Sequence, residues 1–308
     1  VPLLLLLGAC QAAALPETVA PGSAPAAEPA PASAPGEELQ PPSPATVRLR
    51  VASWNIKRLG HGTKDLRVVA DVLDDFDLVA VQEVMTREVV QELSAELPEH
   101  EALLTDVPTP VDGKYREYFA FFYRPDRLEP ALNTYVPDPQ EYFARDPYLA
   151  CFDVADVGRR VCLMTVHITY GDRVAARKAE ILALDDALRW AQDGDATSDW
   201  IVLGDCNRPL DDGDADEDPE EEWAELLDRR QLRVPVTPAG DEVPTTLGES
   251  DYVNSYDHIF VSAEIASGIV EAGRLDLAAI ACAGSFTRCR DTVSDHAPIY
   301  VDVQLRAP

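Results

Sequence analysis

The stretch DTVSDHAPIYV, Asp291 to Val301, sets an acid and an imidazole, Asp295 and His296, directly before an apolar run from Ala297 to Val303. Such a pair at the entrance of a buried strand can hold a metal ion and move a proton. Working outward, other polar residues keep the same relation to apolar runs. Asn55 follows Val51 to Trp54, Glu83 follows Leu78 to Gln82, His167 follows Val161 to Val166, and Asp205 and Asn207 follow Ile201 to Gly204. These lie at the C-terminal ends of their runs, whereas Asp257, like Asp295 and His296, lies at the N-terminal end of its own. If the last strands run antiparallel to the others, all of these groups meet on one rim.

The runs themselves read as strands over Val47 to Trp54, Leu78 to Val81, Tyr118 to Tyr123, Trp200 to Leu203, His258 to Val261 and Pro298 to Val303. Tyr148 to Val154 and Arg160 to Val166 flank Asp156-Val157-Gly158 and predict a hairpin. Between them lie helical spacings. Thr63 is placed to cap a helix carrying Leu66, Val69, Ala70 and Leu73. Thr86 caps a second with Val89, Val90, Leu93 and Leu97. Asp172 caps a long third with Val174, Ile181, Leu184 and Leu188. Apolar strands interleaved with amphipathic helices imply mixed sheets whose faces the helices cover, an α/β (α+β) class.

The chain of 308 residues is long enough for a sizeable core. With 26 Lys and Arg against 55 Asp and Glu, the formal charge is −29. That field repels polyanions at long range and argues against passive nucleic-acid binding, which rests on cationic side chains. It leaves room for an enzyme that meets phosphate through bound cations. The six cysteines include no C-x-x-C pair, which argues against a zinc ribbon.

At the N-terminus, residues 1–10, VPLLLLLGAC, read as the end of an export signal, too short to span a bilayer. Leu7-Gly8-Ala9-Cys10 resembles a bacterial lipobox, which makes Cys10 the candidate lipidated residue. Several acyl chains on one cysteine anchor firmly. Residues 11–45, rich in Ala, Pro, Glu and Ser, have almost nothing to bury and read as a disordered tether. Residues 46–308 show no internal break and read as one catalytic domain. The expected location is outside the cytosol, as a lipoprotein on a membrane or cell surface, otherwise secreted or periplasmic.

Glu83, Asp295 and Asn55 offer hard oxygens of the kind Mg²⁺ or Ca²⁺ prefers. His167 and His296 titrate near neutrality and suit proton transfer, and a carboxylate behind either fixes its tautomer. Singly, each of these residues is more often a turn, a cap or a structural histidine. Their value lies in recurring together at strand ends.

With those residues in place, the chain resembles the endonuclease/exonuclease/phosphatase superfamily, and within it the deoxyribonuclease I branch. The matching pieces are Ser53-Trp54-Asn55-Ile56-Lys57, Val81-Gln82-Glu83-Val84, Tyr115-Arg116-Glu117-Tyr118 running into FAFFYRPDRL, Asn133-Thr134-Tyr135, and Phe143-Ala144-Arg145-Asp146-Pro147. They continue with Thr165-Val166-His167, Leu203-Gly204-Asp205-Cys206-Asn207, Ser255-Tyr256-Asp257-His258-Ile259 and Ser294-Asp295-His296-Ala297-Pro298. The resemblance implies a four-layer αββα sandwich, two packed mixed β-sheets with outer helices. It also implies divalent-metal-dependent cleavage of a phosphodiester that leaves a 5′-phosphate, with Mg²⁺ as cofactor and Ca²⁺ or Mn²⁺ as alternatives.

Carried over by motif, Asn55, Glu83 and Asp295 bind the metal. His296, backed by Asp257, activates water, and His167, bonded to Glu117, serves the leaving oxygen. Asp205 and Asn207 position the nucleophile or the phosphate, and Tyr115, Arg145, Tyr256 and Lys57 lie along the substrate backbone. The expected substrate is DNA, with RNA or a phospholipid headgroup as alternatives, acted on by a monomer. A sphingomyelinase-like phosphoesterase and an inactive surface-binding module are the competing readings. Met85 stands where the branch carries an Arg that enters the minor groove, which puts duplex preference in question. Lys57 departs from the acid of abasic-site endonucleases.

Asp211 to Glu222 reads as a solvated acidic loop, since it lacks the glycine of an EF-hand. In an exported chain Cys282 and Cys289 are a disulfide candidate. Cys151 and Cys162 face each other across the hairpin, as a second disulfide or as buried thiols. Cys206 reads as packed and unreactive.

Overall fold

The structure, a computed structural model, describes residues 45–110, 115–171, 173–195, 197, 199–211, 219–235, 237, 240 and 242–308. The signal and lipidation site at Cys10, the tether up to residue 44, the Asp172 cap and residues 212–218 of the acidic run lie outside the described residues. The strands are β1 (Thr46–Leu59), β2 (Leu78–Val84), β3 (Glu101–Leu104), β4 (Tyr118–Tyr123), β5 (Leu128–Tyr135), β6 (Tyr148–Val154), β7 (Arg159–His167), β8 (Asp199–Asp205), β9 (Asp257–Val261), β10 (Ile269–Arg274) and β11 (Ile299–Arg306). The main helices are α1 (Leu66–Leu73), α2 (Arg87–Glu96) and α3 (Val174–Gly194). Shorter ones are α4 (Pro219–Ala224), α5 (Ala263–Ser267), α6 (Leu277–Cys282) and α7 (Phe286–Thr292).

One sheet has six strands in the order β10-β11-β1-β2-β4-β3, the other five in the order β5-β6-β7-β8-β9. Strands β1 and β2 are parallel, as are β7 and β8. The closing strands reverse, β11 against β1 and β9 against β8. The C-terminal ends of β1, β2, β7 and β8 therefore share one rim with the N-terminal ends of β9 and β11.

The two-residue period of each strand sorts its side chains between layers. Val51, Leu78, Ala80, Phe119 and Phe121 of the first sheet face Ala150, Phe152, Leu163, Ile201 and Leu203 of the second, forming the central core. The alternate residues Ala52, Trp54, Val79, Val81, Ala120 and Phe122 pack under α1, α2 and α6. On the far side Leu149, Cys151, Met164, Trp200 and Val202 pack under α3 through Ile181, Leu184 and Leu188. Both faces are covered, so the inner strands read as unbroken apolar runs, and the result is the four-layer αββα sandwich.

Sequence and structure differ at several elements. Helix α1 starts at Leu66, and its cap is Asp65, whose carboxylate accepts from the Val68 amide. Thr63 stands two residues too early to reach that amide. Thr86 does cap α2, accepting from Val89 N. Strands β3, β5 and β10 carry no clear sequence signal. All three are edge strands whose side chains are for the most part only half-buried or exposed, and β5 tolerates Pro130 because it is an edge. The acidic run is not solvated throughout. Its end enters α4, where Glu222 is buried against Arg208 and Lys178. Disulfides join Cys151 to Cys162, register partners on β6 and β7, and Cys282 to Cys289 across α6 and α7. Cys206 is a buried free thiol, raised well above its ordinary pKa by burial.

Gly204 marks a close approach of β7 and β8. Its φ is +148°, and a Cβ built there would sit 2.0 Å from Val166 O. Only glycine lets β7 and β8 close at the residue before Asp205. Gly204→Ala is expected to lower the unfolding free energy by about 2–3 kcal/mol in urea titrations. A loss below about 0.5 kcal/mol would show that the β7 backbone yields there.

Candidate active site

The rim opens into a cleft of about 850 Å³. Ten of the residues singled out in the sequence line it: Lys57, Glu83, Tyr115, Arg145, His167, Asp205, Asn207, Tyr256, Asp295 and His296. Asn55, Glu117 and Asp257 stand behind them, buried. Register explains the convergence. His167 pairs with Asp205, and Asp205 with Asp257, so three reactive side chains stand abreast on the second sheet. On the first sheet the ladder shifts after Asn55 in β1 and between Val81 and Val84 in β2. These irregularities carry β1 on to Leu59 and re-aim Asn55 and Glu83 toward the second sheet. Lys57, Arg58, Glu83 and Asn207 all have positive φ, 22°, 51°, 60° and 49°. Four non-glycine residues in that region around one cleft are backbone strain held by the surrounding structure, which is typical of a working site.

Two carboxylate–imidazole dyads face each other. His167 Nδ1 donates to Glu117 Oε1 at 2.8 Å, and His296 Nδ1 donates to Asp257 Oδ2 at 2.8 Å. Their Nε2 atoms both turn toward Asp205 Oδ2, at 3.6 Å and 3.7 Å. That oxygen also accepts from Asn55 Nδ2 at 2.9 Å, and Asp205 Oδ1 accepts from Asn207 N at 2.9 Å. Asn55 Nδ2 further reaches Glu83 Oε1 on its own sheet at 3.1 Å, while its bond to Asp205 ties the two sheets together. Its Oδ1 accepts from Lys57 N at 2.9 Å. Glu83 Oε2 accepts from Tyr115 at 2.6 Å and from Arg58 N at 2.9 Å, while Lys57 Nζ pairs with Asp295 Oδ2 at 2.7 Å.

Burial alone would depress both imidazoles. Asp257, Asp205 and Asp295 outweigh it and raise His296 to about 10, and Glu117 with Asp205 likewise raises His167, against an opposing contribution from Arg145. Burial raises Asp205, assisted by Asp257, despite the two imidazoles. Glu83 is lowered: burial opposes, but the His167 charge and the bonds from Tyr115, Asn55 and Arg58 prevail.

The donor set fits a divalent cation. Five carboxylates, Glu83, Glu117, Asp205, Asp257 and Asp295, stand in or directly behind the cleft, and buried Asp257 Oδ1 has no hydrogen-bond partner. Ligand atoms of Asp205, Asp257 and His296 lie within 4.8 Å of one another. Glu83 and Asp295 add hard oxygens at the open side.

Several supporting residues had no separate signal in the sequence. Gln82 Nε2 donates to Thr165 Oγ1 at 2.9 Å and to Ser53 Oγ at 3.1 Å, a buried polar bridge between the sheets beneath the site. Ser294 Oγ donates to Asn55 O at 2.7 Å, and Thr245 Oγ1 to Asp257 Oδ2 at 2.5 Å. Glu180, on the buried face of α3, accepts from the Thr169 amide at 3.2 Å and from the Ala144 amide. Its place in a helix heptad hides it, because a polar residue in a helix is ordinarily a surface one.

The chain belongs to the endonuclease/exonuclease/phosphatase family, whose sequence model matches residues 52–296. It is a hydrolase of that family. A deoxyribonuclease from Thioalkalivibrio sp. (strain K90mix) is 35% identical over 278 residues, which cover 84% of this chain and 72% of that protein. Human deoxyribonuclease-1-like 2 is 27% identical over 246 residues, covering 70% and 78%. Among solved structures, the human Nocturnin catalytic domain with bound sulfate shares the fold with a TM-score of 0.60 at 18% identity, over 86% of this chain and 98% of that one. The 3′ phosphatase NExo from Neisseria, bound to a product DNA hairpin, gives 0.58 at 18% identity, over 83% and 99%. The protein is thus a nuclease or phosphoesterase of this family.

Glu180 supplies a test of the site's support. Burial raises its carboxyl to about 7 from an ordinary 4.5, with Arg145 and the Thr169 and Ala144 amides pulling the other way. The folded state then holds this proton more tightly than the unfolded one. Its contribution is present below pH 4.5 and is lost as the pH rises through 7. Glu180→Gln should flatten that decline, so the variant's unfolding free energy gains on the wild type between pH 5 and 8. Parallel pH profiles in urea would show the idea wrong.

Proposed function

We propose that this chain is a divalent-metal-dependent endonuclease that hydrolyses DNA phosphodiesters to 5′-phosphate ends, acting as a monomer because one chain supplies both walls of the cleft. The observation that carries this is the pair of dyads, Glu117–His167 and Asp257–His296, whose Nε2 atoms converge on Asp205 Oδ2 at 3.6 Å and 3.7 Å. In-line displacement at phosphorus needs a base on one side and an acid on the other, and two oriented imidazoles supply both. In this reading His296 takes the proton of the attacking water, and Asp257 stabilises the imidazolium. His167 gives a proton to the leaving oxygen, and Glu117 fixes the tautomer that can do so. Asp205 aligns the water between them. Asn207, Tyr115, Arg145, Tyr256 and Lys57 hold the phosphate backbone. Mg²⁺ would be held by Glu83 and Asp295 with Asn55; when bound, such a cation supplies charge against the developing phosphorane and offsets the carboxylate field on His296. The similarity to proteins named deoxyribonuclease supports DNA as the substrate.

Export with lipidation at Cys10 is part of the proposal. The two disulfides of the described domain support it, since they persist in oxidising compartments. A Cys10→Ser variant that still partitions into detergent would remove the lipid anchor from it.

The catalytic test is nicking of supercoiled plasmid by the full chain with Mg²⁺, with Mg²⁺ and Ca²⁺, and with EDTA. Nicking should be abolished by EDTA and reduced about 10²–10⁴-fold in His296→Ala. Hydrolysis of phospholipid headgroups or small diesters without DNA cleavage would transfer the site to the alternative phosphoesterase reading.

A further inference from the structure

Tyr170 lies three residues beyond His167 in the same cleft and is 77% exposed. Its loop is not loose. Ile168 N donates to Asp205 O at 2.9 Å, and Ile168 O accepts from Arg145 Nη2 at 2.9 Å and Asn207 Nδ2 at 2.8 Å. On either side of the tyrosine, Thr169 N is held by Glu180 and Gly171 O accepts from Arg177. The backbone is pinned by the site itself, and the ring is displayed from it.

Val253, 57% exposed, lines the same cleft. It too is held by its backbone, with Val253 N donating to Thr246 O at 2.8 Å and Thr246 bridging to His296. Tyr256 lines the same cleft. Single exposed apolar side chains are ordinary on a surface. Two on anchored backbone, lining the same cleft as the dyads, offer apolar surface that water serves poorly.

Resting on the nuclease reading above, we infer that Tyr170 and Val253 form a platform for the face of an unpaired nucleobase next to the scissile phosphate, and so favour single-stranded or frayed DNA. In a duplex each base face is covered by its neighbours, and only an unstacked base offers one to a side-chain ring. A phenol ring and an isopropyl group offer apolar surface on the scale of one base and too little to hold acyl chains. Stacking is indifferent to base identity, so the preference would be for strand state and not sequence.

The test uses the full chain with Mg²⁺ on three substrates of equal length: a single-stranded oligothymidylate, a duplex, and a strand whose residues are abasic spacers. Tyr170→Ala should lower kcat/KM on the single strand about tenfold, chiefly through KM, and leave the abasic strand and the duplex unchanged. Tyr170→Phe should retain the activity. In a His296→Ala background, 2-aminopurine in the strand should be quenched less when Tyr170 is also Ala. Equal losses on the abasic strand, or no loss on the single strand, would overturn the platform while leaving the nuclease reading intact. A wild-type chain that cleaves no DNA would overturn both.

Discussion

Asp205 is a carboxylate removed from water between two sheets, and the site is arranged around the need to satisfy it. An isolated charge there would be expelled or protonated. Asn55 Nδ2, Asn207 N and two imidazoles surround it, each from a different strand or loop. Gly204 makes the position reachable by letting β7 and β8 close without a Cβ between them. The imidazoles are in turn held by Glu117 and Asp257, so the charge of the centre is distributed over a chain of alternating acid and base. Each group is oriented by the one behind it, and none is free to choose another rotamer without leaving a neighbour unpaired.

The sandwich provides what that chain needs. Its central core is apolar, but near the rim the apolar packing gives way to Ser53, Gln82 and Thr165, which bond across the gap between sheets. A polar bridge there fixes the register of one sheet against the other more specifically than aliphatic packing would, because a slip strands buried donors. The carboxylates and imidazoles are thus carried by two stiff bodies joined at a defined offset. Strain at Lys57, Arg58, Glu83 and Asn207 is tolerated because those bodies are well packed behind it.

Much of this was legible from apolar runs ending in polar residues. The inner strands are covered on both faces, so their hydrophobicity is continuous and their ends are sharp. Asn55, Glu83, His167, Asp205, Asp257 and Asp295-His296 stand out at those ends, and the structure gathers them on one rim. The edge strands β3, β5 and β10 were not legible, because solvated edges need no alternating pattern. Nor were Thr245, Glu180 and Gln82 as supports. Their function depends on which residue stands across from them in space, and sequence spacing carries no trace of it. Glu222 is the converse case. It sits in an acidic run that reads as solvated, yet Arg208 and Lys178 draw it inside.

The charge of the chain constrains what the cleft can recognise. A formal −29 repels a polyanion that approaches to within a Debye length, about 8–10 Å at physiological salt. Attraction must then arise at short range, from groups that act only on a phosphate already in the cleft. Arg145 and the His167 imidazole, which Glu117 and Asp205 raise against the effect of burial, are such groups. Lys57 is paired with Asp295, so its charge acts mainly on a phosphate seated beside it. A protein built this way gains little from long-range steering and much from contacts that need no charge. Stacking on Tyr170 is a contact of that kind, and its strength does not depend on the field of the rest of the molecule. An acidic surface and an exposed aromatic at the cleft are therefore consistent parts of one arrangement. The first penalises nonspecific adhesion to polyanions, and the second adds affinity only for a strand already seated at the catalytic centre.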